Sequence, residues 1–257
     1  MSRIVAIASN TFREAVRDRV LYNLIIFALL MIGASLLLGQ ITIAVQRQLL
    51  INLGLTAISI FGVLIAIFIG IGLVSKEIDK RTLYTVLTRP VQRWEFILGK
   101  FFGLLGTLVV NATLMTIGFF VALLYLMRGF ESGDVAILVA IFFILLQFMI
   151  VTAVALLFSA FSTPIESAVL AFAIFVVGSF SEDLRAFAGS ANGLAHYLAV
   201  GMVYLIPNFS TLNVIAQVAH GKAVDPHLIL FNTIYAITYA GAAVCAASII
   251  FQNRNMK

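Results

Sequence analysis

The residues best suited to chemistry or recognition are gathered in one short segment of an otherwise apolar chain. Residues 75–96, SKEIDKRTLYTVLTRPVQRWEF, hold eight of the 16 basic and 11 acidic side chains in the 257-residue sequence. Their carboxylates, Glu77, Asp79 and Glu95, stand among lysines and arginines. That arrangement suits ion pairing better than acid–base catalysis. The segment therefore predicts a contact surface for a soluble partner, and the alternative is a solvated loop that only fixes topology.

No cofactor site is expected in this chain. Lys100 and Lys222 each follow a glycine, but the rest of the G-x-x-x-x-G-K-[ST] phosphate cradle is missing. A metal site is not expected either, because no thiolate ligand accompanies the histidines. The histidines are His196, His220 and His227.

The composition excludes a soluble globular protein. The chain is 62% hydrophobic and 11% charged, whereas soluble domains are roughly 45–50% apolar and about 25% charged. Apolar runs longer than about 18 residues indicate transmembrane helices. The net charge of +5 is then a sign of basic residues held on one side of the membrane, not of nucleic-acid binding. The single cysteine, Cys245, is expected to be an inert buried thiol.

The charge-free runs predict one transmembrane domain over residues 1–257 with six membrane-spanning helices. These lie at about 20–40, 52–74, 101–127, 135–158, 164–180 and 228–251. Residues 181–227 are expected to form an outer helical segment. Its apolar part, residues 194–206, is too short to span comfortably and ends before Pro207, so it reads as a re-entrant or interfacial helix. A second short helix is expected at 211–219.

The basic residues predict the orientation. With both termini in the cytoplasm, twelve lysines and arginines lie inside and four lie outside, as the positive-inside rule requires. The four outer ones are Arg47, Arg128, Arg185 and Lys222. The charged segment is therefore expected at the cytoplasmic surface.

Residues 1–19 predict an amphipathic helix lying in the membrane interface. Ile4, Ala8 and Phe12 recur at helical spacing, and polar residues lie mostly on the rest of the wheel. The arginines would face anionic lipid headgroups. They are Arg3, Arg13 and Arg17. The alternative is a basic leader that only sets topology.

The segment 75–96 predicts a second surface helix. Ser75 can cap it, and Glu77 and Asp79 then lie in the first turn, where negative charge is favourable. Its apolar stripe is formed by Leu83, Val86 and Leu87. Arg89 precedes Pro90 and should end the helix. Pro90 can then begin the next helix, which carries Trp94 to the interface.

Within the predicted spans the polar candidates are neutral. Asn111, Gln147 and Asn232 are expected to form interhelical hydrogen bonds or to line a translocation path. Gly99 and Gly103 form a G-x-x-x-G step that predicts close helix packing. Gradient-driven pumps usually carry buried ionisable groups in their spans. The energy for any transport is therefore expected to enter from outside the spans.

The segment KEIDKRTLYTVLTRPVQRWEFILGKFFG resembles the loop between the second and third spans in permease subunits of type-2 ABC exporters. The matching residues are Glu77, Arg81, Thr82, Leu83, Arg89, Pro90, Val91, Arg93, Trp94, Leu98, Gly99, Lys100 and Gly103. Arg81 stands where that family usually has glycine. The N-terminal helix, the six predicted spans and the YLIPNFSTLNVIAQVAHGK segment extend the resemblance over the whole chain.

The resemblance implies an all-α permease of the bacterial or archaeal plasma membrane. Two copies, or this chain and a similar permease, would form the translocation path. A separate ATPase subunit would bind ATP and Mg²⁺ and dock on the loop around Glu77 to Arg93. Export is implied by the resemblance alone, and an accessory subunit is left open. The competing hypotheses are a lipid-modifying membrane enzyme or assembly factor, and a passive channel or scaffold.

Overall fold

The computed structural model describes residues 3–41, 46–79, 92–127, 134–191 and 193–253. The regular structure of these ranges is entirely helical. In chain order the α-helices are α1 (Arg3–Val16), α2 (Arg19–Ile41), α3 (Gln46–Asp79), α4 (Arg93–Met127), α5 (Val135–Ser159), α6 (Pro164–Ser179), α7 (Ser181–Ser190), α8 (Leu194–Leu205), α9 (Ile215–Ala219) and α10 (Pro226–Asn253). A 3₁₀ turn at Ser210–Leu212 precedes α9.

Four of these helices are long and apolar enough to cross a membrane, namely α3, α4, α5 and α10. Up to six spans result if each bent helix pair counts as one, the pairs being α6 with α7 (67°) and α8 with residues 210–219 (42°). Within α2, the apolar part is the shorter stretch Leu24–Ala34, which is not long enough to count among these spans. The all-α integral membrane class predicted from the sequence is confirmed. The assignment of crossings to individual helices stays a prediction.

The core of the bundle is built around α5. This helix is apolar all round, a pattern typical of a helix enclosed by other helices, and it packs against α3, α4, α6 and α10. At the contact with α3, Phe148 lies directly on Gly62, where an added Cβ would come 1.9 Å from the ring. At the N-terminal end of α5, buried Asp134 forms an ion pair with Arg47 of α3. The two paired residues are 87 positions apart in sequence.

Two helix boundaries differ from the prediction. Helix α3 continues through Ser75 and Glu77 to Asp79, so Ser75 does not cap a new helix. The sequence between 73 and 79 contains no glycine or proline that would break α3. Helix α4 begins at Arg93, not at Pro90, because Glu95 reaches back to accept a hydrogen bond from the Gln92 backbone N–H at 2.9 Å.

The environment of the single cysteine also differs from the prediction. Cys245 is exposed on the surface of α10 and is not buried in the core. A long apolar helix at the edge of a bundle presents one face to lipid, and hydropathy alone does not tell that face from the packed one.

Candidate functional site at the junction of α1 and α4

The predicted N-terminal amphipathic helix is present as α1, and it packs into a glycine groove at the start of α4. A Cβ on Gly99 would lie 2.6 Å from the Ile7 Cβ. A Cβ on Gly103 would lie 2.6 Å from both the Ala8 carbonyl oxygen and the Thr11 Cβ. Such distances are shorter than real Cβ contacts, so only glycine permits this approach. The sequence predicted close packing for this G-x-x-x-G step, and the structure identifies α1 as its partner.

Beside the glycine groove, Lys100 is almost completely buried, with 1% of its surface exposed. Its Nζ lies 4.0 Å from the Glu14 carboxylate of α1 and 5.6 Å from the centre of the Phe96 ring. A buried ammonium is costly unless it is paired. The carboxylate and the aromatic face both stabilise it. The buried charge of Lys100 in α4 is therefore stabilised only while α1 holds Glu14 next to it.

A second ion pair joins the same two helices closer to their N-terminal ends. Arg3 lies 3.8 Å from Glu95, and the Arg3 side chain is half exposed. Exposed pairs of this kind contribute about 1 kcal/mol or less. The pair sets the register between α1 and α4 more than it stabilises their contact.

The last described turns of α10 complete the junction. The Phe96 ring of α4 stacks on the Phe251 ring with 5.8 Å between centroids and 15° between planes. Both rings are buried. The first turn of α4 is thus held by α1 on one side and by α10 on another.

The interfacial residues predicted for α1 occupy two environments. Phe12 is partly buried, and its Cδ2 would lie 3.5 Å from a Cβ on Gly106 of α4. Arg3, Arg13 and Arg17 are exposed, although Arg17 lies just beyond the end of α1. The helix thus packs one face on protein and exposes Arg13 and Arg17 where lipid headgroups could reach them.

The predicted docking residues lie only in part within the described structure. Trp94 is exposed at the start of α4, with its indole N–H donating to Gln92 Oε1. Glu77 and Arg93 are described as helical backbone only. The remaining predicted docking residues lie outside the described residues. These are Arg81, Thr82, Leu83, Val86, Leu87, Arg89 and Pro90.

A family model described as ABC-2 family transporter protein matches residues 5–256. The chain belongs to the ABC-2 transporter family. It is a multi-pass membrane protein and the permease component of an ABC transporter, and the predicted resemblance is confirmed. A comparison with curated proteins finds no match.

In this ABC-2 protein, two of the three polar residues considered for a translocation path make interhelical hydrogen bonds. Gln147 of α5 donates to Ser59 of α3 at 3.2 Å. Asn232 of α10 donates to the Thr211 carbonyl oxygen at 3.0 Å. Asn111 of α4 is also buried, and its Nδ2 has no partner among the described residues. A direct role of these residues in transport remains a prediction.

The sequence analysis missed a polar cluster that holds the ABC-2 protein's bent α6–α7 pair. The Asn208 side-chain oxygen accepts hydrogen bonds from the hydroxyls of Ser181 and Ser210, the latter at 2.8 Å, and from the Thr211 backbone N–H at 3.3 Å. The Asn208 backbone N–H donates to the Tyr235 hydroxyl of α10 at 2.8 Å. The only signal in the sequence was the Pro207–Asn208 turn dipeptide, which does not reveal these partners.

Proposed function

We propose that this permease is driven by a separate ATPase subunit that docks on the segment joining α3 and α4. The observation that carries the proposal is the α1–α4–α10 junction. It lies at the start of α4, where the charged segment enters the membrane domain. A device that receives force from a partner needs a stiff connection at this point, and the glycine groove, the Lys100 side chain and the Phe96–Phe251 stack provide one.

The lengths of the two helices favour this role for the segment. Helix α3 has 34 residues and α4 has 35, equivalent to about 50 Å each at 1.5 Å per residue. A bilayer core is about 30 Å thick, so each helix exceeds it by roughly three or four turns, counted over both of its ends. A partner bound between these projecting ends would act on both helices together. For ATP to drive transport, the partner must contact the two conformations differently.

The positions of the buried ionisable side chains support an energy source outside the spans. In the described part of the chain, Lys100 and Asp134 are the buried ones; Lys100 lies in the third turn of α4 and Asp134 directly precedes α5. There they fasten one helix to another. A gradient-driven transporter would place such groups along the path at mid-membrane depth.

The remaining features of the proposal are extended to this chain by its resemblance to the family, and the orientation by the distribution of basic residues. ATP and Mg²⁺ bind to the partner and not to this chain. Two permease copies, or this chain and a similar one, enclose the translocation path in the bacterial or archaeal plasma membrane. Both termini face the cytoplasm, transport runs outward, and an accessory subunit is compatible with the outer helices.

Copurification with an ATPase tests the coupling. The full chain is expressed with the products of its neighbouring genes, and we expect a soluble ATPase to copurify. Leu83→Asp should abolish this complex while the permease still inserts, because it places a charge on the predicted apolar stripe. Thr85→Asp is the matched control, since position 85 lies on the opposite face of the same predicted helix and should retain the ATPase.

Three results would contradict the proposal. One is that no ATPase copurifies with the wild-type chain and charge reversal at Glu77 or Arg81 leaves transport intact. Another is that Leu83→Asp prevents insertion itself, which would make the residue structural. The third is equal loss of the complex in both aspartate variants, which would show that the apolar stripe is not the docking surface.

A further inference from the structure

The bend between α6 and α7 would place α7 close to a membrane surface if α6 crosses the membrane by itself. Helix α6 has 16 residues, equivalent to about 24 Å, whereas a bilayer core is about 30 Å thick. If α6 begins at one surface, it ends near the boundary of acyl chains and headgroups on the other side. The chain then turns by 67° into α7. On this arrangement α7 runs along that boundary; the alternative is that α6 and α7 together form one bent span.

A cleft of about 480 Å³ lies between α7 and α8. Arg185 and His196 line it together with small and apolar residues. These are Ala188, Gly189, Val200, Val203 and Tyr204. A cleft with a cationic side chain and an apolar wall suits a ligand that carries both a negative charge and a hydrocarbon part.

Arg185 is available to such a ligand. Within the described ranges it makes no ion pair with a carboxylate, although Glu182 and Asp183 belong to the same helix. Neither acid lines the cleft. A guanidinium binds phosphate oxygens through two parallel hydrogen bonds.

His196 is held in a fixed orientation at the same cleft. Its Nδ1 lies 2.7 Å from the Ala188 carbonyl oxygen. Since a carbonyl oxygen only accepts, Nδ1 carries the proton. The other ring nitrogen, Nε2, has no hydrogen-bond partner among the described residues and remains free for a polar ligand group.

The opposite face of α8 is apolar and exposed. Leu194, Leu198, Met202 and Leu205 form one stripe at helical spacing, with between 51% and 78% of each side chain exposed. Tyr197 and Tyr204 flank it with 75% and 85% exposed. Tyrosines beside an apolar stripe are typical of helices at the bilayer interface. The cleft is thus bordered by a surface suited to acyl chains.

We propose that the cleft between α7 and α8 binds the phosphate group of a phospholipid, with Arg185 as its ionic partner and His196 as a second polar contact. The acyl chains would run along the apolar stripe of α8. A free phosphate ion could satisfy Arg185 equally well, but it would make no use of the stripe. The bound lipid is a resident of the outer helical segment, independent of the transported substrate.

Lipid retention by the full-length permease tests the site without any ATPase, so the result is independent of the proposed coupling. The protein is extracted from nanodiscs of equal phosphatidylglycerol and phosphatidylcholine, and native mass spectrometry measures the retained lipids. We expect Arg185→Gln to reduce phosphatidylglycerol retention about tenfold, as for loss of one charge-assisted hydrogen bond. Arg185→Lys should keep most of it, and His196→Gln should show a smaller loss.

The matched control is Lys222→Gln, which removes an exposed basic side chain outside the cleft. It should retain phosphatidylglycerol like the wild type, and all variants should keep the wild-type melting temperature. Unchanged retention in Arg185→Gln, or equal losses in Arg185→Gln and Lys222→Gln, would overturn the site. Displacement of the lipid by millimolar inorganic phosphate would show a general anion site and overturn the lipid assignment. If a second permease copy is found to cover α8 and exclude lipid, the lipid assignment is also overturned.

Discussion

Gly103 and Lys100 show how single residues fix the junction of α1 and α4. At Gly103 no side chain fits, because the α1 backbone occupies the space that a Cβ would need. Lys100 carries a charge that is tolerated because Glu14 and Phe96 are near. Both positions could be recognised in the sequence, because the G-x-x-x-G step and the lysine next to Gly99 are local patterns. The sequence could not show that their partner is α1, which precedes them by more than 80 residues, because packing across such a separation leaves no local signal.

Replacing Gly103 with alanine should displace α1. The added methyl would meet the Ala8 carbonyl oxygen and Thr11 at 2.6 Å, and overpacking of this kind costs about 1–3 kcal/mol. We expect a lower melting temperature and faster trypsin cleavage after Arg13. Gly241→Ala is the matched control, since nothing lies within 4 Å of a Cβ there; because alanine is favoured over glycine inside a helix by about 1 kcal/mol, it should keep or slightly raise the melting temperature and leave trypsin cleavage unchanged. A Gly103→Ala protein as stable and protease-resistant as the wild type would disprove the tight contact.

Reversing the charge of Glu14 should destabilise the same junction through Lys100. Glu14→Lys places two ammonium groups together where an ion pair stood at 4.0 Å, and we expect a loss of roughly 1 kcal/mol, because the Glu14 side chain is 41% exposed. Lys100→Met removes the repulsion, so the double variant should lose less than the sum of the two single variants. Thermal unfolding of the four proteins measures this coupling, and strict additivity would show that the two charges do not interact.

At the scale of helices, composition predicted which helices exist but placed some of their boundaries wrongly. The long apolar runs predicted α3, α4, α5 and α10, and periodicity predicted α1, because both signals are local. The end of α3 was placed too early, since Ser75 was read as a cap although Lys76 and Glu77 are good helix formers. The ion pair between Arg47 and Asp134 escaped prediction because charges 87 residues apart have no sequence signal.

The bend between α6 and α7 depends on Asn208, which accepts hydrogen bonds from two hydroxyls and one backbone N–H. Asn208→Ala removes the shared acceptor of all three donors and leaves only the contact between the Ser181 and Ser210 hydroxyls at 2.9 Å, so we expect it to cost roughly 1–3 kcal/mol. Asn213→Ala is the matched control, because Asn213 is exposed and accepts one long hydrogen bond of 3.4 Å. Thermal unfolding should separate the two variants by several degrees. Equal melting temperatures would mean that the cluster does not hold the bend.

For the whole molecule, the decisive property is its orientation in the membrane. Twelve basic residues in the predicted cytoplasmic segments against four outside favour cytoplasmic termini. The cytoplasm is where an ATPase could reach the segment between α3 and α4. If α2, α3, α4, α5 and α6 each cross the membrane, α1 and α7 lie on opposite sides, because five crossings separate them.

Cysteine labelling of intact cells tests this orientation. Cys245 is the single cysteine and is exposed, so Cys245→Ala gives a clean background. Asn10→Cys in α1 and Ser190→Cys in α7 replace exposed residues and form a matched pair. A membrane-impermeant maleimide should label Ser190→Cys in intact cells and Asn10→Cys only after permeabilisation. Labelling of Asn10→Cys in intact cells would place the docking segment outside, beyond the reach of cytoplasmic ATP. Equal labelling of both would mean that one of the five helices does not cross.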